Sequence, residues 1–280
     1  MATHLPAEDA VSAETCGYAN LGARRMKLPV LLYHHVGPSL LGARYAGLSV
    51  SQGKFERQMR WLARKGYAGI RPADWLAWLL HRNPLPSKPV LLTFDDGYAD
   101  FPDHALPVLL RYGFGAVVFV ITRRIAAKSR EGAPLMSAHQ IRECSAHGIE
   151  FGSHARTHPD LTGLSATQLR EEIAGSGEDL SAIIGTRVTS FAYPYGFWSE
   201  EVRARVRESF DLAFTCEEGL NQIDTDPLLL RRTMVQPGDL LLDLACRVHF
   251  GWSPVTALRS RLRLRSRWRN ATRYVRGPSG

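Results

Sequence analysis

Hydrophobic positions in this chain come in two kinds of run, and the two alternate. Short unbroken apolar stretches of strand length recur at Val30, Val90, Val117, Ile149, Val188, Leu212 and, more weakly, Leu230. Continuous apolar runs of this length are expected where a parallel sheet is covered on both faces. Between them lie segments with helical spacing. Ser51 precedes one over about 52 to 65, whose Phe55, Met59 and Leu62 share a stripe, and Gly66 ends it. A second is expected over 73 to 80 after a short link at Ile70 to Pro72. A third falls within 103 to 112, where Pro107 argues for a kink or a start nearer the proline. Ser137 and Ser165 each stand three residues before a glutamine, and Ser165 with Gln168 reads as a capping box. The helices they open should run to Gly148 and Gly185, with Gly175 and Gly177 as weak points of the second. Glu200 to Glu208 closes the helical set.

Strand alternating with helix places the chain in the α/β class with a mainly parallel sheet. In such sheets the polar residues at strand ends gather on one face, whether the sheet is open or closed into a barrel. Seven candidate strands favour a barrel. The polar strand ends are Asp95-Asp96, His154 and Pro194-Tyr195, with His34 and His35 where the first strand meets its loop.

The strand Val90 to Phe94 ends in two adjacent carboxylates and then Gly97, which permits a sharp turn. Side by side, two acids are costly unless a positive group or a proton lies between them. Ser153-His154-Ala155-Arg156-Thr157-His158 supplies two imidazoles four residues apart. One carboxylate with two histidines is a frequent zinc set that keeps an open position, and it leaves the second carboxylate as a base.

Composition alters the picture only at the edges. The chain has 280 residues, 45% of them hydrophobic, enough for one large domain with appendages. Residues 1 to 25 lack the apolar core of a signal peptide and are expected to be disordered. The folded domain is expected over 26 to 255. No apolar stretch is long enough to span a bilayer. Cys16, Cys144, Cys216 and Cys246 form no CxxC pair, which suits free thiols in a reducing compartment. A cytoplasmic location follows as the expectation. The formal net charge is +8, and arginine recurs from Arg259 to Arg276 within a basic tail, 256 to 280. That tail reads as a solvated segment, as a peripheral anchor to anionic membrane, or as a contact for an anionic polymer; nucleic acid is not the expected partner.

Thr93-Phe94-Asp95-Asp96-Gly97, then Ser153-His154 to His158, then Phe191-Ala192-Tyr193-Pro194-Tyr195-Gly196, in that order, resemble the motifs of the polysaccharide deacetylases, the NodB-homology carbohydrate esterases. Tyr33-His34-His35-Val36 is similar to the start of that group's biofilm and cell-surface glycan branch. The likeness covers about residues 28 to 235. It implies a distorted (β/α)7 barrel and hydrolysis of the N-acetyl group of an amino sugar in a polysaccharide or glycolipid. It implies Asp95 as general base and Asp96, His154 and His158 as ligands of one divalent metal, usually Zn2+. Pro194 and Tyr195 would line the acetyl pocket, with the Tyr195 N–H helping to hold the oxyanion. Two positions depart from the pattern. Ala192 stands where the group carries an arginine that braces the base, and Arg231 or Arg232 is the expected substitute. The late histidine motif that supplies the general acid has no clean match, which leaves His34 and His249 as candidates. Asp100 or Ser153 would orient a ligand histidine. A catalytically impaired glycan- or lipid-binding protein on the same scaffold is the alternative.

Overall fold

The computed structural model describes residues 26–38, 46–130 and 132–255. The expected N-terminal extension and the arginine-rich tail therefore lie outside the described residues. Ten strands appear: β1 (Val30–Tyr33), β2 (His35–Val36), β3 (Ser49–Val50), β4 (Ala68–Ile70), β5 (Pro89–Phe94), β6 (Val117–Val120), β7 (Glu150–Ser153), β8 (Ser190–Ala192), β9 (Leu212–Phe214) and β10 (Thr233–Met234). The main sheet is parallel throughout, in the order β10-β1-β5-β6-β7-β8-β9, with β4 added alongside the first half of β5. The segment leading into β10 closes the ring. Its Leu230 pairs in parallel with Phe214 of β9, and three residues later Thr233 pairs with Leu31 of β1. Seven positions around a curled, parallel sheet make the expected distorted (β/α)7 barrel.

Alternation along the strands fixes what points inward. Val30, Leu91, Val117, Phe119, Ala192, Leu212, Phe214 and Leu230 form one buried cluster inside the ring, extended below by Trp75 and Trp78. Leu31, Tyr33, Val90, Leu92, Phe94, Val118 and Phe191 belong to the larger layer shared with the helices. The same parity continued past the strand ends turns Asp95 and His154 inward, at the mouth where the strands' carboxyl ends converge.

Among the described residues seven α-helices surround the sheet: α1 (Gln52–Arg64), α2 (Pro72–His81), α3 (Leu106–Tyr112), α4 (Ala138–Ala146), α5 (Ala166–Ile184), α6 (Glu200–Ser209) and α7 (Leu241–Phe250). Ser137 and Ser165 form the capping boxes with Gln140 and Gln168. Pro107 does sit in the first turn of α3, and a π-type turn over Phe101–Ala105 precedes it.

Three local expectations change. Ile70 to Pro72 is not a bare link, since Ala68–Ile70 is a strand; Gly69 is needed there because a Cβ would lie 2.5 Å from the Phe114 ring. Gly175 and Gly177 are not weak points of α5. A Cβ at Gly175 would meet the Arg156 guanidinium at 2.4 Å, and one at Gly177 would meet Phe210 at 3.1 Å. Both glycines admit a neighbour against the helix. Finally, α7 has no counterpart among the expected helices, because its pattern is mixed: Asp243 and Arg247 are buried beside Leu244 and Val248, while Leu241, Leu242 and Phe250 are exposed.

Candidate active site

All six residues of β5 are buried, and the strand delivers Asp95 into the barrel mouth with its N–H donated to the Tyr33 carbonyl, 3.0 Å. Arg232 grips the Asp95 side chain in a fork: Nη1 donates to Oδ1 at 2.6 Å and Nη2 to Oδ2 at 2.8 Å. Arg232 is fixed in turn by Nε donating to the Thr215 carbonyl at 2.8 Å and by Nη1 reaching Thr93 Oγ1 at 3.3 Å. Both partners are buried, at 1% and 3% exposed. Burial opposes ionisation of Asp95, but the charge of Arg232 outweighs it and holds the carboxyl down to about 2. Arg232, not Arg231, is thus the arginine paired with Asp95. Arg231 donates its N–H to Asn221 and its side chain packs beside Gly219.

Asp96 leaves the strand with φ of 71°, and Gly97 follows at 72°. A left-handed aspartate is uncommon and marks a constrained position. Ala155 (φ 64°), His158 (φ 63°) and Tyr195 (φ 60°) share this conformation, so most of the left-handed non-glycine residues among those described surround one spot.

β7 presents His154, whose N–H donates to the Val120 carbonyl. Its Nδ1 lies 2.7 Å from the Ala192 carbonyl, which requires the proton on Nδ1 and leaves the lone pair on Nε2. The turn to His158 is clamped from α5. Arg156 pairs with Asp179 through two bonds of 2.9 and 3.0 Å, and Glu172 accepts from the N–H and the hydroxyl of Thr157 at 2.9 and 2.7 Å. The clamp turns the His158 ring back toward His154. Their Nε2 atoms are 3.2 Å apart, and each is 3.8 Å from Asp96 Oδ1. A point equidistant from these three donors lies about 2.1 Å from each, the bond length at which imidazole and carboxylate hold zinc. Burial keeps His154 from charging; burial, then the neighbouring His154, pushes His158 down to about 3. Both rings are therefore neutral, with lone pairs converging on one point beside a carboxylate, so the donor set fits a divalent cation. Asp95 Oδ2 is also 3.8 Å from His154 Nε2, but Arg232 occupies both Asp95 oxygens.

The turn after β8 brings Tyr195 over this triangle. Its ring meets His158 edge to face at 4.5 Å, and its hydroxyl accepts from Arg130. The turn's own hydrogen bonds use the N–H groups of Gly196 and Phe197. A cleft of about 620 Å³ opens beside Tyr195, walled by Phe197, Trp198, Cys216 and Glu217 and, across from them, Asp160 and Thr162. None of these lining residues except Tyr195 was expected. A run of Phe197-Trp198 directly after the Pro-Tyr-Gly turn was the available signal.

His34 follows β1 at the same mouth, close enough for its charge to favour ionised Asp95. His249 does not join the site. Its ring packs on Tyr67, which leads into β4 at the opposite end of the sheet, because α7 runs back down the barrel from β10. Asp100 and Ser153 do not orient the histidines either. Asp100 accepts from the Val36 N–H at 2.8 Å and Ser153 hydrogen-bonds Ser176, so the Ala192 carbonyl serves that purpose.

The family profile described as polysaccharide deacetylase matches residues 82–210, which hold the double aspartate, both histidines and the Tyr195 turn. YxkH of Bacillus subtilis is 32% identical over 213 residues, covering 76% of this chain and 72% of YxkH. A poly-β-1,6-N-acetyl-D-glucosamine N-deacetylase of Staphylococcus epidermidis is 26% identical over 200 residues, 67% of this chain and 68% of that protein. Among solved structures, the Streptococcus pyogenes deacetylase PplD in complex with acetate superposes with a TM-score of 0.68 at 26% identity, covering 76% of this chain and 94% of PplD. IcaB from Ammonifex degensii superposes at 0.63 with 29% identity, covering 75% and 92%. Shared sequence over three quarters of its length, and a barrel whose mouth carries the double aspartate and paired histidines, place this chain in the polysaccharide deacetylase family.

Proposed function

We propose that the protein hydrolyses the N-acetyl group of an amino sugar within a glycan or glycolipid, with Zn2+ held by Asp96, His154 and His158. The observation that carries this reading is the triangle of three donors about a common point at metal-bond distance, with a second carboxylate beside it that takes no part in the set.

Bound there, a divalent ion supplies Lewis-acid chemistry, drawing charge from a carbonyl oxygen and making water a stronger acid. Asp95 accepts the proton of the water that attacks the acetyl carbon. Arg232 keeps this carboxylate ionised and aimed, and the same pairing makes it a weak base, so the reaction depends on water that has been made acidic. Once protonated, a carboxyl with so low a pKa gives its proton up readily. His34, at the same mouth, is the proposed donor to the departing amine. Tyr195 N–H is the proposed partner of the oxyanion in the tetrahedral intermediate. The cleft beside Tyr195, with the exposed ring of Phe197 and the half-buried ring of Trp198, suits the faces of neighbouring sugar rings.

Release of acetate from a panel of N-acetylhexosamine oligomers, polymers and lipid-linked sugars tests the proposal. The expected result is turnover with at least one class of N-acetylated glycan, lost in Asp95→Asn. Full metal retention with no acetate from any of them would favour the glycan-binding alternative.

A further inference from the structure

α7 buries Leu244 and Val248 in the core but leaves a second apolar face uncovered. Its exposed face carries Leu241, Leu242, Ala245, Cys246, His249 and Phe250, with no acid, lysine or arginine among them. Its charged residues face the barrel instead: Arg247 donates to Asp239 at 3.0 Å and to Thr233 at 2.7 Å, and Asp243 accepts from Ser253 at 2.8 Å. Leu242 is 60% exposed and Phe250 63%, and Leu240 and Trp252 extend the apolar strip beyond both helix ends. A strip of large apolar side chains on a soluble surface marks a docking site.

The chain itself says what kind of partner fits. Residues 256 to 280, which begin just beyond Trp252, contain eight arginines and no acidic residue. They carry the whole formal net charge of +8, leaving 27 basic residues against 27 acidic ones in the rest. At the other end of the strip, Lys54 and Arg57 of α1 border the same hollow as Leu240 and Leu241. An apolar strip bordered by Lys54 and Arg57, on a chain whose sequence continues into an arginine-rich segment, matches an anionic bilayer, where apolar side chains enter the acyl boundary and cations remain among the headgroups. A second copy fits poorly, because it would bring two such basic segments together.

We propose that α7, with its neighbouring basic groups, seats the protein on an anionic phospholipid surface. The His249 end of the strip packs beside Tyr67, at the opposite end of the sheet from the donor triangle. The proposal is independent of the deacetylase reading.

Cosedimentation of the full chain with phosphatidylcholine vesicles, with and without phosphatidylglycerol, tests it. Binding is expected only to the anionic vesicles and should weaken with salt. Leu241→Gln/Leu242→Gln/Phe250→Gln should weaken it at least about tenfold, and Arg→Gln at 259, 261, 263 and 265 at least about a hundredfold. Both variants should keep the metal and the circular dichroism of the parent; the single change Leu242→Gln serves if the triple one misfolds. Failure of the parent to bind anionic vesicles, or unchanged binding by the α7 variant, would overturn the proposal. So would a dimer that the α7 variant dissociates, which assigns the strip to a second copy. Stronger binding to neutral vesicles after arginine replacement would also overturn it, assigning the strip to the chain's own basic segment.

Discussion

Asp95 and Asp96 are adjacent and chemically alike, and the backbone alone divides their duties. Strand parity turns Asp95 into the barrel against Arg232, and the left-handed step at Asp96 aims the second carboxylate at the histidines. Replacing Arg232 by Met removes one member of a buried pair, which costs about 3–5 kcal/mol by urea unfolding. It also raises the Asp95 pKa, so the acid limb of the pH–rate profile should move upward. A linked pH effect follows for the parent. The unfolded carboxyl titrates near 4, so the pairing adds stability that is complete above that pH and is lost as pH falls through about 2, on the order of 2–3 kcal/mol. The stability gap between the parent and Asp95→Asn should therefore shrink between pH 4 and pH 2; a constant gap would contradict the pairing. At this scale the sequence was informative about the cluster of Asp96, His154 and His158, because a double acid at a strand end and a His-x-x-x-His turn are local signals. Arg232 was legible only as one of two neighbours, since it reaches Asp95 from 137 residues away.

The elements act as a frame for the donors. β7 holds His154 through Val120, the β8 carbonyl of Ala192 sets its tautomer, and α5 clamps the turn to His158 through Glu172 and Asp179. Gly152, two residues before His154, packs where a Cβ would lie 2.4 Å from the Phe119 ring and 2.7 Å from Ser190 Oγ. Gly152→Ala should push β7 from its neighbours, cost about 1–3 kcal/mol by thermal unfolding and weaken metal binding in a zinc titration. Unchanged affinity would mean that His154 is not positioned by the strand. Helices with a caps-and-stripe pattern were readable from sequence, whereas α7 was not. Its buried Asp243 and Arg247, beside Leu244 and Val248, blur the apolar stripe. His249 was a candidate only as a partial match to the late histidine motif, and α7 carries it to the opposite end of the sheet.

For the whole molecule, the barrel closes through Leu230 to Met234, and the residue carried into the mouth by that closure is Arg232. The alternation of strand and helix was enough to anticipate the parallel ring. The cleft was not, because its walls come from loops after three different strands. A cation bound only by the folded barrel must stabilise it by mass action. Zinc at a hundredfold over its dissociation constant should add about 2.7 kcal/mol and raise the melting temperature, and chelation should reverse the gain. In Asp96→Ala the melting temperature should no longer respond to zinc.

Metal content measured alongside acetate release, in the parent, Asp95→Asn, Asp96→Ala and His154→Ala, tests the central claim most directly. The account predicts about one zinc per chain in the parent and in Asp95→Asn, with acetate released only by the parent, and loss of both metal and activity in the other two. Asp96→Ala or His154→Ala protein that kept its full zinc would contradict it.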